Sequence, residues 1–284
     1  MVHLGNMYRM YRVLADNLPQ GSPTAALRQA LAVGFGQVDW RQGLFYMGLV
    51  LAILLMHEMG HFLMTLRHRI PASLPYFIPL PIVPFGTLGA IIGMDGAQAN
   101  RRKLFDMGVA GPLAGLAVTV PVLWIGVRML QPTAPAPGEL VFHNSLIVQS
   151  LITWLRPDYP TPGFICLNQF NAFLMAGWVG VLVTGLNMLP ISQFDGGHVA
   201  YALLGRRAHI LARGLIVGGI VAMVYWDKYF WFLMLLLVVL LGPDHPPTAD
   251  DRARLGWPRL LIGWASLLIP ILCFPLLGIT PAGR

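Results

Sequence analysis

Residues 44–66 read LFYMGLVLAILLMHEMGHFLMTL, and this stretch decides the fold. An uncharged run, Leu44–Met56, leads into His57-Glu58-Met59-Gly60-His61, and Phe62–Leu66 follow before Arg67. About 20 apolar residues cross the hydrocarbon of a bilayer, so the stretch reads as a membrane-spanning helix. At about 1.5 Å per residue, the two histidines lie roughly 8–14 Å inside one end of it. Ionisable groups at that depth are costly unless they are paired or functional. Histidines four apart share one helix face. An HExxH in that setting can hold one Zn²⁺, with Glu58 beside the attacking water. The 284 residues include 8 His and two Glu. A chance HExxH is then expected about 0.002 times.

Composition agrees. The chain is 56% hydrophobic and 11% charged, against about 25% charged in an ordinary soluble domain. So few charges cannot cover a water-soluble body, and so apolar a chain does not stay disordered. One multi-pass membrane domain remains. The formal charge of +7 comes from 19 Lys and Arg scattered in ones, twos and threes between apolar stretches. They read as anchors at the membrane surface, and no nucleic-acid partner is expected. Cys166 and Cys273 offer neither a CxxC site nor a disulfide framework. The first residues show no removable signal peptide.

Uncharged runs predict about six spans, at 44–66, 105–130, 170–190, 209–226, 229–242 and 260–278, and hence an all-α polytopic membrane protein. Residues 71–96 are apolar but carry five prolines, which break helices. Non-helical backbone at membrane depth survives only against protein or a wet cavity, so this segment is expected to be a re-entrant hairpin or loop, with a possible strand at 86–94. Residues 1–42 read as a polar N-terminal segment, with a possible interfacial helix at 24–38. Residues 43–204 read as the catalytic core and residues 205–284 as C-terminal membrane helices. The proline-rich residues 131–168 read as an exposed loop. Segments 67–104, 205–213 and 243–259 carry five, three and three basic residues. By the positive-inside rule they face the cytoplasm. The four arginines before residue 42 oppose that orientation and are outvoted.

A catalytic zinc needs a third protein ligand and one open position. A metzincin-type third histidine would stand at position 67, which is Arg67, and the glycine of that pattern would fall on Met64. Glu139, the other glutamate, lies in the proline-rich loop. Aspartate remains, and Asp195 stands out in Asn187-Met188-Leu189-Pro190-Ile191-Ser192-Gln193-Phe194-Asp195-Gly196-Gly197-His198, directly after an apolar span. His198 and His245 are expected to play a loop or supporting role rather than to bind metal.

An HExxH inside one span and NxxPxxxxDGG at the end of a later one resemble the site-2 protease family of intramembrane zinc metalloproteases. The resemblance covers residues 44–204. It includes Gly86-Thr87-Leu88-Gly89-Ala90 and the run Phe105–Gly115 with its AGPLAG. With His245-Pro246-Pro247 and no inserted PDZ domain, the chain is most similar to the compact branch that includes plant chloroplast homologues. Phe194 departs from the leucine usual before the aspartate, and both are apolar.

The resemblance implies that His57, His61 and Asp195 hold Zn²⁺. Glu58 would deprotonate the attacking water and later protonate the leaving amine. Asn187 would hydrogen-bond the substrate backbone or the oxyanion. The substrate would be a transmembrane protein, most simply a single-pass helix in the lipid bilayer, which must unwind before attack. The segment with Gly86 and Gly89 would capture the unwound stretch by strand addition. A prokaryotic plasma membrane, with the site facing the cytoplasmic side, is the expected location. Another membrane zinc hydrolase is disfavoured by the lack of a second helical glutamate ligand. An inactive membrane chaperone or scaffold is disfavoured by the intact HExxH and Asp195, and a transporter by the concentration of polar groups at one place.

Overall fold

The computed structural model describes residues 40–79, 87–91, 93, 99–133, 139–191, 193–225, 231–242, 244–275 and 277–281. The run around the HExxH forms α1, Trp40–His68. It ends where Arg69 turns left-handed (φ 54°). There the N–H groups of Arg69 and Ile70 donate to the carbonyls of Leu66 and Thr65 (3.1 and 2.9 Å), and Pro71 blocks a further turn. The proline-rich segment then yields β1 (Tyr76–Pro79) and β2 (Thr87–Ile91), an antiparallel pair with Phe77 opposite Ala90. A strand pair thus stands where a re-entrant hairpin or loop was expected, and β2 runs beside α1. Residues 1–39, with the interfacial helix expected at 24–38, lie outside the described residues, as does Gly86.

Helix α2 (Arg101–Arg128) starts at Asn100, whose side chain accepts from the Lys103 N–H at 3.0 Å. It carries Pro112 and Pro121 internally; in a membrane, neighbouring helices can satisfy the backbone groups a proline frees. Helix α4 (Ala172–Asn187) is capped by Asn171, which accepts from the Leu174 N–H at 2.9 Å. Its 16 residues are buried on nearly all sides by α1 and α2. These three helices form the centre, and α5 (Asp195–Leu204) closes one end of it against α2.

The opposite end corrects the expectation of an exposed loop at 131–168. Strand β3 (Leu140–His143) pairs antiparallel with β4 (Phe164–Cys166) on one side and β5 (Ile279–Pro281) on the other. Between β3 and β4 runs α3 (Leu146–Leu155), with Val148 and Ile152 fully buried. Phe142 meets Phe170 and Trp178 edge-on, at centroid distances of 4.9 and 5.3 Å. The prolines flank these elements and do not interrupt them: Pro157 follows the Arg156 cap of α3, where a helix has already ended. Among the described residues the fold is therefore mostly helical, as expected, with two small antiparallel sheets that an all-α reading did not include.

Among the described residues, three helices are long and apolar enough to cross a membrane: Arg41–His68 within α1, α2, and α6 (Arg207–Tyr225). On α6, Ile210, Val217, Val221 and Tyr225 stand 60–80% exposed, an apolar face that water does not tolerate and lipid covers. The run read as a fifth span gives α7, Phe232–Leu241. The run read as a sixth is broken into α8 (Trp257–Ser266) and α9 (Ile269–Cys273), with Pro270 in the first turn of α9. A missing N–H costs nothing there.

Asp106 ties this last helical segment to the centre. Arg259 of α8 donates to both its carboxylate oxygens (2.7 and 2.8 Å), and His68 Nε2 lies 2.9 Å from Oδ2. A forked charge-assisted pair that is only partly exposed is stronger than a surface ion pair. Replacing Arg259 by Met is expected to cost about 2 kcal/mol, read as a lowered melting temperature in detergent. An unchanged melting temperature would show that Asp106 does not anchor α8.

Candidate metal centre

His57 and His61 are both buried on α1 and point toward α2. Their approach depends on what α2 lacks. Gly60 lies against the Ala110 backbone, and a methyl group on Gly111 would overlap the His61 ring. A methyl on Gly115 would stand 3.2 Å from His57 Cβ and Nδ1. The AGPLAG run is thus a flat seat for two imidazoles. It also supplies orientation: His61 Nδ1 donates to the Met107 carbonyl at 2.9 Å. That bond leaves the Nε2 lone pair free to bind a cation.

The aspartate arrives through a tight reversal. Helix α4 ends as the Met188 N–H donates to Thr184 O (3.0 Å), and the Phe194 N–H donates to Ile191 O (3.2 Å). Asp195 then opens α5, at the positive end of its dipole. Gly196 sits directly on the Met188 carbonyl, where any side chain would collide. The spacing from Asn187 to Asp-Gly is the length of chain this fold-back takes.

The donor atoms converge. His57 Nε2 lies 3.0 Å from Asp195 Oδ2, His61 Nε2 lies 3.3 Å from Asp195 Oδ1, and the two Nε2 atoms are 3.1 Å apart. Four-coordinate zinc with bonds near 2.0–2.2 Å sets its donors about 3.3 Å apart. The trio fits such an ion without rearrangement. It is also the one group of three or more metal-donor side chains found among the described residues. Glu58, half-buried on the same turn of α1, follows His57 directly. Asn187 Nδ2 stands 3.3 Å from His57 Nε2, so the structure brings it into the same cluster. Gly89 lies in β2, opposite β1 and beside α1.

His198 and His245 pair with each other (Nδ1 to Nε2, 2.7 Å) and stay outside the metal-donor group. The His245 ring stacks on Tyr201 at 4.6 Å, and the Tyr201 hydroxyl donates to Asp251 at 2.9 Å. Burial holds His245 below the usual imidazole range. The pair therefore pins the segment around residues 244–251 to α5, a supporting role. Sequence reasoning missed the seats at Gly111 and Gly115 and the Met107 carbonyl. The regular spacing of small residues in AGPLAG was the available signal, since such spacing marks close helix packing.

The chain matches the description of peptidase family M50 over residues 45–226. It is 29% identical over 238 residues to the probable zinc metalloprotease EGY1, chloroplastic, of Arabidopsis thaliana, covering 80% of this chain and 42% of that protein. To the probable zinc metalloprotease EGY2, chloroplastic, of Oryza sativa subsp. indica it is 27% identical over 273 residues, covering 94% of this chain and 48% of that one. The chain thus spans less than half the length of these relatives. No solved structure matches it.

Proposed function

Because the chain belongs to peptidase family M50, we propose that it is a zinc-dependent endopeptidase cutting peptide bonds within or beside the transmembrane helices of other proteins. The observation that carries this reading is the convergence of His57, His61 and Asp195 with Glu58 on the same helical turn. His57, His61 and Asp195 hold the ion, which when bound polarises the scissile carbonyl and acidifies water. Glu58 takes a proton from the attacking water and passes it to the departing amine nitrogen. Asn187, drawn off His57 Nε2 once that atom is engaged, turns its amide N–H to the substrate carbonyl oxygen or backbone.

A helical substrate hides its carbonyls in its own hydrogen bonds and must unwind to be cut. The antiparallel β1–β2 pair beside α1 supports capture by strand addition, with Gly89 in β2 bringing no side chain to that strand and Gly86 kept as a sequence-level candidate for the same role. Six crossings remain our reading, with α4, α7 and the interrupted α8–α9 helix as the shorter ones. Residues 43–204 carry the whole site, and residues 205–284 flank it. Eleven basic residues on segments 67–104, 205–213 and 243–259 support a site opening toward the cytoplasmic side.

The test uses purified protein and a single-pass substrate helix. We expect about one zinc per chain, since three protein donors suit a catalytic site. Cleavage should be lost on treatment with a strong chelator and restored by zinc. Cleavage that survives complete removal of zinc would overturn the proposal.

A further inference from the structure

The run His245-Pro246-Pro247 takes no part in the proposed chemistry. It belongs to a strap, residues 244–251, that is tied at both ends. At one end Arg213 of α6 donates to Asp244 (2.6 Å), and His209 Nε2 of the same helix donates to the His245 carbonyl (3.2 Å). At the other, the Ala249 N–H donates to the Ala99 carbonyl (3.0 Å), and the Arg101 N–H at the start of α2 donates to the Asp250 carbonyl (3.3 Å). Pro246 and Pro247 fix their own φ and stiffen the chain between the ties. There the strap meets His198 and Tyr201 of α5. His198 stands one helical turn after Asp195, and residues three apart are neighbours on a helix surface.

The direction of the bond between the two histidines is fixed. His245 Nδ1 lies on the Pro246 carbonyl, which can only accept, so Nδ1 carries the proton and Nε2 offers a lone pair. The 2.7 Å bond therefore runs from the His198 Nδ1–H to His245 Nε2. On its other side His198 is seated on α2. A methyl group on Gly108 would stand 2.9 Å from His198 Cβ and 3.0 Å from the Asp195 carbonyl oxygen. The preceding residue, Met107, holds His61 through its carbonyl. Two successive residues of α2 thus locate two of the three metal donors, one directly and one through the first turn of α5. What keeps α5 on that seat matters. It has ten residues, with Gly196 and Gly197 directly after Asp195. Glycine weakens a helix, and so short a helix is marginal alone.

We infer that His245 is a positioning residue for Asp195: by accepting from His198 it clamps the first turn of α5 onto Gly108 and holds the carboxylate in register with His57 and His61. This rests on the metal-centre reading above. Metal sites tolerate only about 0.2 Å in ligand distance, so a slight lift of α5 reaches the ion while the fold stands. The His245 ring also stacks on Tyr201, and the two contacts can be separated. His245→Phe keeps a ring over Tyr201 but leaves the His198 Nδ1–H without its acceptor. His245→Gln loses the ring and brings Oε1 to where Nε2 stood, as an acceptor for the same N–H.

The experiment loads the full chain, in detergent, with Co²⁺ in place of Zn²⁺, because the visible absorption of cobalt reports its coordination geometry. Affinity is read by competition with a chelator. We expect His245→Phe to lower cobalt affinity at least about tenfold, the low end for loss of a ligand's outer support, and to change the spectrum of the ion that still binds. His245→Gln should restore the wild-type spectrum and bring affinity back to within about threefold, even with a lowered melting temperature. A Phe variant that matches wild type beside an impaired Gln variant overturns the inference and leaves the stack on Tyr201 as the contact that counts. Three identical proteins overturn it too. So does a folded Gln variant that loses affinity about tenfold, whatever the Phe variant does. A wild type that binds no cobalt and no zinc overturns the metal-centre reading itself, an outcome distinct from metal held equally by all three.

Discussion

Glu58→Gln is expected to leave about one zinc per chain and to lower kcat/KM for a transmembrane substrate by about 10³-fold or more. The substitution keeps shape and volume, and Glu58 is not among the metal-donor trio, so the ion should stay. What goes is the basic carboxylate. A positioned acid–base group contributes about 10²–10⁴-fold, and under the proposed function one residue would serve both the attack and the departure of the amine. Glu58→Asp keeps the carboxylate but shortens its reach, and should fall between wild type and Gln. Zinc content and cleavage measured on the same preparations check this. If the Gln variant retained cleavage within tenfold of wild type, Glu58 would lose its role while the metal site stood.

The second large effect concerns a residue with no chemistry of its own. Gly111→Ala places a methyl group in the space the His61 ring occupies. Either α1 moves off α2 or the ring swings away from Asp195 and His57. Overpacking of this kind costs about 1–3 kcal/mol. Metal sites tolerate only about 0.2 Å in ligand distance, so the metal suffers more than the fold. Zinc affinity should drop at least about 100-fold, the upper range for loss of a ligand's support, and activity should vanish with it. Gly214→Ala is the control. It lies in α6 with nothing within 4 Å of the added carbon, and Ala is the better helix former by about 1 kcal/mol. Zinc titration by competition with a chelator separates the two variants. Equal zinc affinity in both would remove Gly111 from the site.

Why the chemistry was legible and part of the fold was not follows from the range of the signals. The HExxH closes within one helical turn, so spacing alone puts His57 and His61 on one face. Asp195 emerged because glutamate is so scarce that few other donors were open. By contrast, β3 pairs with residues of β5 more than 130 positions downstream, and strands of three or four residues carry too little alternation to announce themselves. The prolines around them read as loop because composition cannot tell a proline that interrupts an element from one that borders it. Helix α4 shows a further reason: its 16 residues are short for a span, and only the helices around it explain why it is so apolar. Gly111 was visible as a letter in a motif; that it marks the floor under a histidine ring needed the second helix in place.

The pairing of β3 with β5 sets an order on assembly. The three donor side chains His57, His61 and Asp195 are all present once residue 195 has been synthesised, and α1, α2 and α4 can then close around them through contacts among residues already made. Strand β3 must wait, because its His143 meets Thr280, 137 residues later. Closing so distant a contact is slow compared with packing neighbouring helices. The end that carries the His57, His61 and Asp195 trio can therefore assemble before the opposite rim is closed.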